Sequence, residues 1–240
     1  MQKNLLNNRM ATILSIETST EVCSVALAKD GNVIWHKEHF EGQAHATLLA
    51  SYIQELLNEL SLKKGDVDAV AVSCGPGSYT GLRIGVSTAK GLCFGWEIPL
   101  IAIDTLKVLC KGAMNEFDMP NADVWLCPMI DARRMEVYTA FCDANLSQQV
   151  KTWAEIIDEN SFKDILVQHP IICFGNGAEK CKSVLTGERV AFIDNIKPLA
   201  SNMAEVAEIY FNEKRFEDVA YFEPFYLKEF VATVGKNKVF

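Results

Sequence analysis

The strongest constraint on this chain is an internal echo. Strand-like Val72-Ser73-Cys74 runs into Gly75-Pro76-Gly77, and strand-like Ile172-Cys173-Phe174 runs into Gly175-Asn176-Gly177. Upstream, residues 14–27 (LSIETSTEVCSVAL) resemble residues 128–141 (PMIDARRMEVYTAF). In each, an apolar strand ends in a carboxylate, Glu17 or Asp131, followed by a tight polar turn and a second strand. The offsets, about 114 and about 100 residues, are similar. A repeat on this scale predicts two α/β units facing each other across a cleft.

Hydrophobic periodicity fills in the units. In the first, strands are expected at 11–16, 22–28, 32–37, 67–73 and 99–103, with helices at 44–60 and 82–94; Asp30-Gly31 marks a tight hairpin. In the second, strands are expected at 125–130, 136–143, 171–174 and 190–193. Thr152-Trp153-Ala154-Glu155 reads as a capping box opening a helix. A further helix is expected at 178–185, and Asn202 with Glu205 reads as the cap of a last helix reaching Phe211. The polar stretch 110–123 is taken as the boundary, so the units are 1–110 and 111–240, with the last helix or tail packing back on the first.

Composition narrows the function classes. With 240 residues, 49% of them apolar, the chain can bury one large core or two small ones. No apolar run reaches the ~20 residues that a membrane helix needs. Residues 1–9 carry no secretory signal and read as an extension, or a misplaced start, ahead of Met10. A net charge of −8 argues against autonomous nucleic-acid binding, though not against a role in RNA metabolism through a partner. The eight cysteines form no C-x-x-C and mostly sit in apolar runs, as reduced core thiols of a cytoplasmic protein do.

The most specific segment is SCGPGSYTGLRIGVSTAKGL, residues 73–92. Gly75, Pro76, Gly77 and Gly81 form a structural loop opening onto a helix; it is neither a P-loop nor a G-x-G-x-x-G fingerprint. Loop chemistry alone leaves a tight turn and an anion site equally open. The helix carries Gly85, Ser87, Ala89, Gly91 and Gly95, although glycine costs up to ~1 kcal/mol per helical site. Such a surface predicts close packing against another helix, in this chain or in a partner. In the preceding helix Leu49, Ile53, Leu56 and Leu60 can cover the sheet, while Leu48 and Tyr52 widen the stripe.

Sites for chemistry are harder to find. The turns after Glu17 and Asp131 read Thr18-Ser19-Thr20 and Ala132-Arg133-Arg134, without the glycine that a phosphate nest usually needs, so both carboxylates are taken as hairpin hydrogen-bond acceptors. Leu49 stands four residues after His45, where a helical metal pair would require a second histidine, and His36 and His39 lack a third ligand; no metal is assigned. Ser78 in G-P-G-S-Y is not a nucleophile elbow. No catalytic residue and no cofactor are expected.

ILSIETSTEVCSVAL, His45 with the following Leu48-Leu49, GPGSYTGLRIGVSTAKGL and the closing PFYLKEF together resemble the bacterial TsaB (YeaZ) family. The resemblance is strong over 12–105 and thin over 145–220. It implies an α/β fold of duplicated ribonuclease-H-like units, the actin-like ATPase (sugar kinase/Hsp70/actin) fold. It also implies a non-catalytic scaffold for threonylcarbamoyl transfer to the adenosine beside the tRNA anticodon. That scaffold would bind the TsaD transferase and, through the pair, the TsaE ATPase; it would form a homodimer in isolation and meet tRNA only within the complex. The family's docking surface, carried onto this sequence, falls on His45, Leu48, Tyr52, Thr80, Arg83, Ser87 and Lys90. The alternative is an active ATPase or phosphotransferase of the same fold. A third reading, a peptidase using Ser78 or His45, has no supporting geometry in the sequence.

Overall fold

A computed structural model describes residues 10–42, 44–118 and 123–228. The expectations about residues 1–9, the tail from Gly235 and the last two residues of PFYLKEF lie outside the described residues. The chain builds two five-stranded sheets. The first takes β1 (Thr12–Glu17), β2 (Cys23–Lys29), β3 (Asn32–His39), β4 (Ala69–Gly75) and β5 (Leu100–Asp104), ordered β3-β2-β1-β4-β5. The second takes β6 (Trp125–Asp131), β7 (Glu136–Cys142), β8 (Gln148–Ile156), β9 (Ile171–Phe174) and β10 (Val190–Ile193), ordered β10-β9-β6-β7-β8. Each sheet has three antiparallel strands in sequence, then two parallel ones beside the first. This shared order is the duplicated ribonuclease-H-like plan.

Local chemistry explains the well-read half. β1 is buried almost throughout, Ser15 and Glu17 included, because both its faces are covered, as expected for a central strand with a parallel neighbour. Asp30 and Gly31 both have positive φ, the two-residue turn that matches strand twist. Helix α1 (His45–Glu59) packs on β2, and α2 (Tyr79–Trp96) packs on β4 and against α1. Ser78 caps α2, its hydroxyl accepting from Gly81 N–H at 3.2 Å. Leu49, Ile53, Leu56, Val86, Ala89 and Cys93 join Leu14, Ile16 and Val72 in one core.

Four expectations need correction. Helix α3 (Thr105–Glu116) runs through the expected boundary; Asp104 caps it, accepting from Leu106 and Lys107 N–H. Cys110 and Ala113 are buried against the second sheet, so a division at residue 110 falls inside a helix that packs on both sheets. Residues 152–155 belong to edge strand β8, not a helix: Trp153 packs on Phe141 and Phe162, and that burial overrides the capping-box signal. The region after Ala178 forms a 3-10 turn (Glu179–Cys181), and the nearest helix before it is the short α4 (Lys163–Gln168). Asn202 caps nothing; it lies in a 3-10 turn (Ala200–Met203) ahead of α5 (Ala204–Asn212) and accepts from Asn115 Nδ2.

The C-terminal elements return to the first sheet. Ala200 N–H bonds Ser24 Oγ at 2.9 Å, and α5 lies against β1, β2 and β5. The chain then runs back along α2. Glu217 N–H bonds Leu100 O, Lys90 Nζ bonds the carbonyls of Ala220 and Phe222, and Phe225 N–H bonds Cys74 O. Among the described residues, no helix is long and apolar enough to cross a membrane.

Candidate functional site

The small residues of α2 divide between two faces. Gly81, Gly85 and Ala89 point inward and are buried. A β-carbon on Gly81 would fall onto the Thr18 carbonyl, and one on Gly85 onto the Thr18 hydroxyl. The inward half of the expected small-residue surface is therefore occupied by the chain's own β1–β2 hairpin. Thr80, Arg83, Ser87 and Gly91 point outward and are exposed, and a β-carbon on Gly91 or Gly95 would meet nothing within 4 Å. Phe94 continues this stripe at 83% exposure. A bulky residue at Ala89 would thus disrupt the core rather than probe a surface.

The remaining residues expected at the docking surface scatter. His45 is buried, and its Nε2 donates to the Val22 carbonyl at 3.0 Å, tying the start of α1 to the edge of β2. Tyr52 is buried in the same core, with Lys37 Nζ 5.0 Å above its ring. Leu48 is half-buried at the α1 flank. Lys90 is engaged by the returning chain. The structure therefore brings Thr80, Arg83 and Ser87 onto one surface with Gly91 and Phe94, and leaves His45 and Tyr52 buried on α1, away from it. Phe94 is legible as an apolar residue on the outward side of the helix, but its exposure depends on where α2 sits.

Beneath α2 lies the hairpin with Glu17. The carboxyl has no exposure; its Oε1 accepts Ser19 N–H at 2.6 Å, and Oε2 has no partner among the described residues. Burial pushes its pKa up to about 7; the Ser19 and Ser73 groups that face it offset this only in part. The glycine loop closes the hairpin. Ser78 N–H bonds Ser19 O at 2.6 Å, Thr18 Oγ1 donates to Gly81 O, and a β-carbon on Gly77 would strike the Ser19 carbonyl. Thr18 and Ser19 are fully buried, so this hairpin has no room to wrap a phosphate.

The second hairpin stays open. Asp131 is exposed, paired with Lys180, and accepts Arg133 N–H at 3.0 Å. Asn176 bridges the halves: its Oδ1 accepts Asp131 N–H and its Nδ2 donates to Glu21. A cleft of about 420 Å³ lies beside it, lined by Glu21, Gly175, Asn176, Lys182 and Ile196. Among the described residues, no group of three His, Cys, Asp or Glu could hold a metal. Ser78 and His45 are each engaged by backbone, so neither is set up as a nucleophile or base.

A duplicated α/β protein of two ribonuclease-H-like units, with one hairpin sealed by a helix, is the class that these features define. Residues 39–235 match the family model described as TsaD: tRNA N6-adenosine threonylcarbamoyltransferase. The chain is 31% identical over 233 residues to the tRNA threonylcarbamoyladenosine biosynthesis protein TsaB of Haemophilus influenzae, covering 90% of this chain and 93% of that one. It is 40% identical over 130 residues to TsaB of Escherichia coli, a match spanning 53% of either protein. A Pseudomonas aeruginosa crystal structure, titled as an uncharacterized protein with similarity to peptidase YEAZ, superposes with a TM-score of 0.78 at 25% identity, covering 91% of this chain and all of that one. The chain belongs to the TsaB (YeaZ) family.

Proposed function

We propose that this chain acts in tRNA threonylcarbamoyladenosine biosynthesis as a non-catalytic scaffold. It binds the TsaD transferase and, with it, the TsaE ATPase, and leaves the transfer of the threonylcarbamoyl group to TsaD. The observation that carries this reading is the outward stripe of α2, where Thr80, Arg83, Ser87 and Gly91 lead to a Phe94 ring exposed beside open backbone. An exposed aromatic next to small residues is an anchor with room for a partner helix to approach. Leu48 is half-buried on the neighbouring α1, His45 and Tyr52 are buried on that helix, and Lys90 holds the returning chain. The same stripe serves a homodimer when TsaD is absent, and tRNA is met only in the assembled complex, in the cytoplasm.

The sealed Glu17 hairpin favours this scaffold over the active ATPase, because the phosphates of a nucleotide need an open turn on both sides of the cleft. Two measurements test the proposal. Ser87→Glu with Gly91→Trp should abolish co-elution with TsaD while the variant keeps the wild-type melting temperature; a complex that survives removes the α2 stripe from the interface. Omitting the chain from a reconstituted modification reaction should stop transfer, and full activity without it defeats the scaffold reading. Calorimetry with ATP covers the alternative: tight binding and turnover by the isolated chain would establish an ATPase.

A further inference from the structure

The β6–β7 turn is an exposed segment whose backbone and charge have no role in the scaffold. Arg133 and Arg134 stand there with φ of +72° and +51°. Two consecutive left-handed positions are costly for any residue other than Gly, Asn or Asp. The turn is nevertheless well held: Arg133 N–H reaches Asp131 Oδ1, Glu136 N–H reaches Arg133 O at 3.1 Å and Ala132 N–H reaches Glu136 O at 3.0 Å. Both side chains are exposed, and neither guanidinium closes an ion pair or hydrogen bond with another described residue. Two more cations flank them. Lys180 bonds Asp131 and the Glu136 carbonyl, and Lys228 bonds Glu136 beside the Tyr138 ring. Four cations thus face two carboxylates, in a chain whose net charge is −8.

Position adds to charge. Lys228 follows two residues after Tyr226, whose ring lies 4.7 Å from that of Tyr79, the first residue of α2. One short segment thus touches both the first residue of α2, through Tyr226, and the arginine turn, through Lys228 and Glu136. Phosphate is the anion that two forked guanidiniums on a fixed turn recognise best.

We propose that Arg133 and Arg134 contact the phosphate backbone of the tRNA held by the assembled complex. The contact is made by the guanidinium groups, not by a backbone nest, and it rests on the proposed docking to TsaD. A surface this small in an acidic chain would not hold RNA alone; it acts where a partner already brings the RNA alongside.

The test uses the full complex with TsaD, purified unmodified tRNA as the probe, and binding measured between 50 and 200 mM salt. Arg133→Asn with Arg134→Gly suits the left-handed backbone better than the native pair, so any loss cannot come from a broken turn. The variant should keep its melting temperature and its co-elution with TsaD. It should bind tRNA roughly five- to twentyfold more weakly, with a log K against log salt slope shallower by roughly 1 to 2. Unchanged affinity and slope would overturn the proposal. So would weakened ATP binding by the isolated variant with tRNA binding intact, because the anion would then be a free nucleotide. If the wild-type chain does not co-elute with TsaD, the docking reading fails first and takes this inference with it.

Discussion

Glu17 and Asp131 end equivalent strands of two sheets with the same order, yet Glu17 lies buried under α2 whereas Asp131 stands at the surface beside Lys180. The contrast originates in the segment after the fourth strand of each sheet. After β4 come the glycine loop and an 18-residue helix that settles on Thr18 through Gly81 and Gly85. After β9 the corresponding loop leads only to a three-residue 3-10 turn. With no long helix to lie on it, the second hairpin remains exposed, Asp131 pairing with Lys180 at the surface. The length and small-residue pattern of one helix thus decide whether the hairpin beneath it is buried or exposed, and that same helix presents its other face outward.

The largest effect should come from the glycines that let the loops approach the hairpins. A β-carbon on Gly77 would strike the Ser19 carbonyl, while one on Gly177 would lie 2.8 Å from the Ile130 carbonyl carbon. Gly77→Ala should cost about 3 kcal/mol or more and Gly177→Ala clearly less, read as denaturant midpoints at unchanged slope. Equal losses would mean that the two loops press on their hairpins alike, and that the first hairpin is no more tightly sealed than the second.

Next in size is the response to pH. Glu17 has its pKa raised from 4.5 to about 7 in the folded chain. The folded state thus holds this proton more tightly than the unfolded chain does. The associated stability is fully present below about 4.5 and is lost as pH rises through about 7, by an amount on the order of 3 kcal/mol. Glu17→Gln keeps an acceptor for Ser19 N–H and carries no charge. It should unfold at the same denaturant concentration at pH 6 and pH 8, and resist unfolding better than the parent at pH 8. A parent whose stability does not fall over that interval would show that the carboxyl is hydrated and the hairpin open.

The first half is legible because its elements depend on local signals. Asp30-Gly31 dictates its own turn, the apolar runs of β1 and β4 need no partner to be recognised, and Leu49, Ile53 and Leu56 lie on one helical face. The second half depends on contacts distant in sequence. Trp153 makes β8 a strand only because Phe141 and Phe162 meet it there, and α3 reads as a linker because its polar positions obscure the buried Cys110 and Ala113. The candidate site is half readable. That α2 carries small residues follows from composition; which of them face Thr18 and which face solvent depends on how the helix is rotated on β4.

The helix that joins the halves should be moderately sensitive. Asp104 Oδ1 accepts from Leu106 N–H at 2.7 Å and from Lys107 N–H at 3.3 Å at the start of α3, and burial raises its pKa. Asp104→Ala should cost about 1 kcal/mol, whereas Asp104→Asn, which keeps the acceptor, should cost much less. If the two halves unfold together, both probes of a two-signal denaturation curve should shift by the same amount. A shift confined to one half would show that α3 belongs to that half alone.

The smallest effect is expected at the counterpart of Glu17. Asp131 pairs with Lys180 at the surface, where water screens the attraction and an isolated pair contributes between about 0 and 1 kcal/mol. Its carboxylate also receives Arg133 N–H, so the isosteric Asp131→Asn retains that acceptor and loses only charge. The variant should differ from the parent by less than about 0.5 kcal/mol, with the difference shrinking as salt rises from roughly 0.05 to 0.5 M. Lys180→Met should behave similarly apart from its bond to the Glu136 carbonyl. A loss at Asp131 as large as that expected at Gly77, unaffected by salt, would mean that the second hairpin is sealed as tightly as the first, and the contrast between the halves would then be one of helix length without functional consequence.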